Sequence, residues 1–137
     1  MLTQVVADTN VIAYLLLGTE PFLYEVEPMW RSVKRVLAPA HWQAELANVF
    51  WTNLRAGLIS FERAQERLTL AKALPITTTV ISSLWIRALA RAADSGVAVY
   101  DTLFVELAER RGCPLVTFDQ AILRAFPDIA ARPRDLL

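Results

Sequence analysis

The sequence predicts an α/β fold with a central, mainly parallel sheet and helices on both faces. Two short apolar runs end abruptly at an acid, residues 5–7 before Asp8 and residues 113–118 before Asp119, which is typical of buried strands. Between them, several segments with apolar residues at helical spacing close on a glycine, as helices often do. Strands that alternate with helices indicate a parallel sheet covered on both sides.

Apolar periodicity and chain breakers set the order of the elements. The predicted strands cover residues 5–7, 36–38, 76–81 and 113–118, and a further edge strand is expected within residues 127–137. The predicted helices cover residues 10–17, 29–36, 40–56, 61–74, 82–95, 100–111 and 121–126. Ser60 is the expected N-cap of the fourth helix. No repeat or linker interrupts this order, so residues 1–137 are predicted to form one domain.

The third predicted helix carries a single polar stripe on an otherwise apolar surface. Its members are Glu45, Asn48, Thr52 and Arg55. A helix that is apolar over most of its circumference is expected to be buried, so the stripe is predicted to line a cleft or an interface.

Composition narrows the class of protein. With 137 residues, 55% of them hydrophobic and 20% charged, the chain is expected to be globular. No apolar run approaches the ~20 residues that span a bilayer, and no basic region precedes an apolar block, so neither a membrane partner nor a secretory signal is expected. The single Cys113 cannot form an internal disulfide. These features favour the cytoplasm.

Charge and residue content also exclude several chemistries. Fourteen basic residues balance fourteen acidic ones, which argues against a protein that coats nucleic acid non-specifically. His41 is the only histidine, so a two-histidine ribonuclease mechanism is excluded. There is no glycine-rich phosphate loop and no cluster of cysteine and histidine that suits zinc.

Four of the fourteen acids occupy positions that are unusual for surface residues. Asp8 and Asp119 follow strands, Asp101 opens a helix after an apolar run, and Glu45 lies one turn into the mostly apolar helix. The acids with polar neighbours are expected to be solvated: Glu25, Glu27, Glu62, Glu66, Glu106, Glu109 and Asp135. Each of the four has an ordinary alternative: Asp101 or Asp119 as a helix cap, Asp8 in an Asx-turn, Glu45 paired with Arg55.

The carboxyl ends of parallel strands meet at one edge of the sheet, so these acids can converge. Clustered carboxylates repel one another unless a cation neutralises them, and an all-oxygen cluster suits Mg²⁺ or Mn²⁺. Such ions activate water and hold a phosphodiester for in-line attack. The sequence therefore predicts a metal-dependent phosphodiester hydrolase.

The same residues, in the same order, resemble the PIN-domain ribonucleases. The resemblance rests on the sequences Val-Val-Ala-Asp8-Thr-Asn, Ala-Glu45-Leu, Tyr-Asp101-Thr-Leu-Phe-Val-Glu-Leu-Ala-Glu-Arg-Arg-Gly112 and Pro-Leu-Val-Thr117-Phe-Asp119. It spans essentially the whole chain and is greatest to the VapC toxins of toxin–antitoxin pairs. It implies a Rossmann-like, three-layer α/β/α PIN domain.

The resemblance also implies an activity and a site. It implies a Mg²⁺- or Mn²⁺-dependent endoribonuclease in which Asp8, Asp101 and Asp119 hold the metal and Glu45 completes the site. It further implies that Thr117 hydrogen-bonds within the site. It implies a homodimer and an antitoxin that covers the cleft. Asn10 is a further supporting polar group. A solvated surface position is the favoured alternative for each arginine that is a candidate for the RNA path: Arg55, favoured among them because it shares the Glu45 stripe, and Arg87, Arg91, Arg110, Arg111 and Arg124.

Other functions remain open from the sequence. A haloacid-dehalogenase phosphatase requires a second aspartate two residues after the first, where this chain has Asn10. A binding module would use the four acids only as caps. A housekeeping RNA-processing PIN nuclease is the nearest alternative, and such proteins often carry extra domains.

Overall fold

The computed structural model describes residues 2–137, so Met1, the first residue of the predicted domain, lies outside the described residues. Five strands form one sheet: β1 (Gln4–Ala7), β2 (Arg35–Pro39), β3 (Ile76–Thr79), β4 (Leu115–Val116) and β5 (Ala130–Ala131). Their spatial order is β3-β2-β1-β4-β5, and every neighbouring pair is parallel. The predicted parallel sheet is confirmed.

Seven α-helices flank this sheet. They are α1 (Thr9–Leu17), α2 (Leu23–Ser32), α3 (Trp42–Arg55), α4 (Phe61–Ala71), α5 (Trp85–Ser95), α6 (Val99–Arg111) and α7 (Gln120–Ala125). Short 3₁₀ turns cover Ile81–Ser83 and Pro133–Leu136. None of these helices is long and apolar enough to cross a membrane.

The sheet is buried on both faces. Val5 and Val6 are consecutive residues of β1, so their side chains point to opposite faces, and both are fully buried. Helices α1, α3 and α4 contact one another in one layer. On the other side, α6 packs against β1, β2 and β4, and α5 packs against α6. The three-layer α/β/α prediction is therefore confirmed.

The chain order reverses between β1 and β4. Strands β1, β2 and β3 follow one another outward on one side, and the chain then returns so that β4 pairs with the other side of β1. In open α/β sheets this reversal creates a crevice at the carboxyl ends of the two strands. Asp8 directly follows β1, and Thr117 and Asp119 follow β4. The topology thus brings Asp8 close to Thr117 and Asp119 at one edge of the sheet.

Several helix ends agree with the sequence analysis. Gly18 and Gly112 follow α1 and α6 with φ of 65° and 61°, a backbone conformation that glycine adopts most easily. The Ser60 side chain accepts a hydrogen bond from the Arg63 N–H, as expected of an N-cap. β5 is the predicted edge strand within residues 127–137.

Other boundaries differ from the predictions. Helix α2 begins at Leu23 and runs through Pro28, whereas the sequence predicted a helix over residues 29–36. Burial of Val26 and Met29 and the pairing of Glu25 with Arg132 offset the backbone hydrogen bond that Pro28 cannot make. The strand predicted over residues 113–118 pairs only at Leu115 and Val116, because its edge partner β5 is two residues long.

The third helix is less buried than predicted. Trp42, Leu46 and Phe50 form its buried face, but Trp51 is 53% exposed and Ala44 and Ala47 also face solvent. One buried stripe is enough to hold α3 between α1 and α4, so a second apolar face remains uncovered.

Candidate active site

Asp8 lies at the carboxyl end of β1 and is the N-cap of α1. The Thr9 N–H donates to its Oδ1 at 2.7 Å, and the Thr117 hydroxyl donates to its Oδ2 at 2.7 Å. The carboxyl is 6% exposed. Burial raises its pKa to about 7, the negative charges of Asp101 and Glu45 act in the same direction, and the two hydrogen bonds act against them. Asp8 is therefore a buried acid without a cationic partner.

The turn after β4 carries the second part of the site. The Thr117 hydroxyl, which donates to Asp8, also accepts a hydrogen bond from the Asp119 N–H at 3.0 Å. The Asn10 amide reaches Asp8 Oδ2 at 3.4 Å, and its Oδ1 accepts from the Phe118 N–H at 3.3 Å. Thr117 and Asn10 thus connect the ends of β1 and β4.

Asp119 both faces the site and caps a helix. Its Oδ1 accepts a hydrogen bond from the Ile122 N–H at 3.1 Å at the start of α7. The capping alternative from the sequence is therefore correct for Asp119. It does not remove the acid from the site, because the second carboxylate oxygen makes no hydrogen bond within residues 2–137 and the charge still raises the pKa of Asp101.

Glu45 approaches from α3. Its Oε1 accepts a hydrogen bond from the Thr9 hydroxyl at 2.7 Å and lies 3.7 Å from His41 Nε2. The expected alternative, a pairing with Arg55, is not found in the described residues; the Arg55 guanidinium instead lies 5.6 Å from the centre of the Trp51 ring. Thr9 thus joins Glu45 to the strand that carries Asp8.

Asp101 approaches from the first turn of α6. The N-cap of that helix is Ala98, so the alternative that Asp101 is the N-cap is wrong. The helix begins at Val99, two residues before the acid. Partial burial, followed by the negative charges of Asp119 and Glu45, raises the pKa of Asp101 to about 6, and the nearby His41 acts in the opposite direction. The structure therefore brings all four predicted acids to one crevice.

The four carboxylates interact by charge, but no three of the acid, histidine or cysteine side chains in residues 2–137 are grouped closely enough to hold one metal ion. The chemistry of the donors still fits a hard divalent cation, because the set is all oxygen and because burial, together with mutual repulsion, raises the pKa values of Asp8 and Asp101. For three of the acids to share one ion, their separation must contract.

Two polar residues of the site were missed by the sequence analysis. Thr9 is buried and bridges Asp8 and Glu45. His41 lies at the N-cap position of α3 and bonds through Nε2 to the Tyr100 carbonyl oxygen at 2.7 Å. A sequence signal existed for each: Thr9 adjoins Asp8, and His41 precedes Glu45 by one helical turn.

Two acids, Glu106 and Glu25, were wrongly expected to be solvated. Glu106 is 3% exposed and pairs with Arg91 at 2.9 Å and with Arg110 at 2.6 Å. Burial acts to raise its pKa, but the hydrogen bonds from the two arginines outweigh burial and lower it. Arg91 and Arg110 are therefore engaged by Glu106 and are not free for the RNA path. Glu25 likewise pairs with Arg132, at 2.6 Å.

The sequence matches a known family along most of its length. Residues 5–127 match the PIN domain. The chain belongs to the PIN-domain family. The fold and the four-acid crevice described above are consistent with this membership, and the resemblance identified from the sequence is confirmed.

Individual relatives agree with this assignment. The chain is 32% identical over 129 residues to Ribonuclease VapC3 of Mycobacterium tuberculosis, covering 93% of this chain and 91% of the relative. The crystal structure of PAE2754 from Pyrobaculum aerophilum superposes with a TM-score of 0.77 at 18% identity, covering 98% of this chain and 92% of that one. A toxin–antitoxin complex from Klebsiella pneumoniae superposes with a TM-score of 0.63 at 16% identity, covering 94% and 97%. These two structures share the PIN fold with this chain.

Proposed function

We propose that this chain is a divalent-metal-dependent endoribonuclease and the toxin of a toxin–antitoxin pair. The observation that carries the proposal is the convergence of Asp8, Glu45, Asp101 and Asp119 at the reversal of the strand order, with no lysine or arginine paired to any of them in the described residues. The name of the Mycobacterium tuberculosis relative supports RNA as the substrate.

The four acids have different roles toward the cation. Asp8, Asp101 and Asp119 would hold Mg²⁺ or Mn²⁺, and Glu45 would complete the site. The bound ion would supply an activated water and offset negative charge on the leaving oxygen. Because Asp8 is partly protonated at neutral pH without a cation, binding of the ion releases protons.

Hydrogen bonds orient the carboxylates for this task. The Thr117 hydroxyl fixes Asp8 Oδ2, and the Thr9 hydroxyl fixes Glu45 Oε1. Glu45 Oε2 makes no hydrogen bond in the described residues, so this atom would be available to orient the attacking water. The RNA 2′-hydroxyl is not the nucleophile, because the single histidine already uses its Nε2 to bind the Tyr100 carbonyl.

The RNA path extends along α3 from the acids. Arg55 is exposed, lies on the helix that carries Glu45, and has no salt bridge in residues 2–137. Its guanidinium is therefore available to a phosphate group. We assign Arg55 to RNA binding, as the sequence suggested.

Two protein partners complete the proposal. An antitoxin is supported by the similarity to the Klebsiella pneumoniae toxin–antitoxin complex. A homodimer is supported by the uncovered apolar surface of α5 and the turn before it, where Val80, Trp85, Ile86 and Leu89 are each more than half exposed. The cytoplasm, predicted from the sequence, is the proposed site of action.

Cleavage of a labelled RNA, with analysis of the product ends, tests the proposal. Attack by water predicts 5′-phosphate and 3′-hydroxyl ends, and EDTA is expected to abolish cleavage. A 2′,3′-cyclic phosphate would overturn the mechanism, and undiminished cleavage in EDTA would overturn the metal requirement. RNA binding without any cleavage in Mn²⁺ would instead favour a non-catalytic PIN module.

A further inference from the structure

The sole histidine of the chain connects two of the site helices. His41 lies at the N-cap position of α3, one turn before Glu45, and its side chain is 10% exposed. Its Nε2 is 2.7 Å from the carbonyl oxygen of Tyr100, the residue before Asp101. The ring centre lies 4.9 Å from that of Phe104, one turn further along α6. His41 therefore contacts both the α3 and the α6 side of the crevice.

The hydrogen bond to Tyr100 shows which nitrogen of the His41 ring is the donor. A carbonyl oxygen only accepts, so Nε2 carries the proton that it donates to Tyr100. Nδ1 is buried and has no hydrogen-bond partner in the described residues. A buried Nδ1 without a partner is unfavourable. The hydrogen bond from Nε2 to Tyr100 is therefore the polar contact that accounts for the position of the ring.

Asp101 is the site acid that most needs an external support. Asp8, Glu45 and Asp119 each accept at least one hydrogen bond that fixes the carboxylate, whereas none reaches the Asp101 carboxylate within residues 2–137. The N-cap residue of α6, Ala98, has no side chain that could cap the helix. The place of Asp101 thus depends on where the first turn of α6 is held.

We propose that His41 is a positioning residue that, by donating its Nε2–H to the Tyr100 carbonyl oxygen, holds the first turn of α6 against the first turn of α3 and so sets the separation of Asp101 from Glu45. The inference rests on the proposed function, since that separation matters only if the acids share a cation. His41 touches neither the cation nor the RNA in this proposal. It acts through the backbone of Tyr100.

Calorimetric titration of Mn²⁺ in the absence of RNA tests this role. His41→Leu removes the donor and is expected to weaken Mn²⁺ binding about tenfold, the usual effect of losing a support behind a metal ligand. His41→Gln retains an N–H donor at similar reach and is expected to restore most of the affinity. Trp42→Phe is the matched control, because it removes the neighbouring buried hydrogen bond, from Trp42 Nε1 to Thr78 at 3.1 Å.

The outcomes separate the two proposals. If the unmutated protein binds Mn²⁺ and His41→Leu binds it with the same affinity, the role of His41 is overturned and the proposed function stays intact. Native protein that does not bind Mn²⁺ overturns both. Equal loss of affinity in Trp42→Phe and His41→Leu, at equal loss of thermal stability, shows a merely structural effect and overturns the positioning role.

A second measurement needs no variant. Because the chain has one histidine, the ¹⁵N spectrum of its imidazole contains the signals of a single ring. The proposal predicts that Nε2 of His41 carries a proton in the native protein. An unprotonated Nε2 overturns the proposal even if His41→Leu fails to fold.

Discussion

Helix α6 carries two acids whose surroundings are opposite. Asp101, in its first turn, faces Asp119 and Glu45, and burial together with those charges raises its pKa to about 6. Glu106, on the same helix, lies between Arg91 and Arg110, which lower its pKa despite burial. The protein thus neutralises one acid with two arginines, whereas no lysine or arginine in residues 2–137 pairs with the other. The lack of a paired arginine, rather than burial, therefore distinguishes Asp101 from Glu106.

The largest expected effect is on catalysis at the uncompensated acid. Asp101→Asn removes a charge without changing shape and is expected to reduce RNA cleavage about a thousandfold, or about 4 kcal/mol of barrier. Glu109→Gln, an exposed acid on the same helix, is the control and should cleave normally. Gel-based cleavage rates at saturating Mn²⁺ measure both. Equal rates for Asp101→Asn and Glu109→Gln would remove the distinction between the two classes of acid.

The next effect concerns the neutralised acid. Glu106→Gln leaves Arg91 and Arg110 without their counter-charge and is expected to lower the free energy of unfolding by about 3 kcal/mol. Urea unfolding measures the loss. Affinity for Mn²⁺ should stay at the native value under conditions where the variant is folded. A variant as stable as the native protein would show that the Glu106 cluster contributes no net stability.

A smaller effect of opposite sign is expected at Asp8. Its pKa is raised from 3.8 to about 7, so the stability that it contributes at low pH is lost as the pH rises through about 7. Without metal, Asp8→Asn should therefore raise the free energy of unfolding on the order of 2 kcal/mol at pH 8, and little at pH 4. Thermal unfolding in EDTA at the two pH values measures this. Destabilisation at pH 8, relative to the exposed control Glu66→Gln, would contradict the expectation.

The smallest effect is the pH dependence of the Glu106 cluster. Because the pKa of Glu106 is lowered from 4.5, its contribution to stability is complete above that value and is lost as the pH falls through the folded-state pKa. The stability gap between native protein and Glu106→Gln should be narrower at pH 4 than at pH 6. Urea unfolding at both pH values checks it. A constant gap would mean that charge is not what Glu106 contributes.

Sequence reasoning found the acids whose signal is local. Asp8 and Asp119 each end an apolar run, and the strands that precede them are present in the structure. Their placement at one edge followed from the parallel sheet, which the alternation of elements predicted. The identity of all four acids was therefore available before the structure, although their role in metal binding stays a prediction.

The missed residues depend on contacts between distant parts of the chain. Glu106 has apolar immediate neighbours in sequence, Val105 and Leu107, but its pairing depends on α5, which supplies Arg91 from 15 residues away. The bond between Thr9 and Glu45 spans 36 residues, and the bond between His41 and Tyr100 spans 59. No pattern within one helix or strand reports such contacts. Contacts with distant residues also explain the wrong boundary at Pro28. The proline indicated a break, but Val26 and Met29 are buried and α2 continues through it.

The hydrogen bond between Thr117 and Asp8 has a consequence for biosynthesis. It joins residues 109 positions apart, and β4 pairs directly with β1. A ribosome that has made α1 to α5 has therefore produced none of Thr117, Asp119 or the strand that supports them. Under the proposed function, the nascent chain cannot cut RNA at this site until residues 115–119 have left the exit tunnel and paired with β1, so residues 1–114 are made before the site is complete.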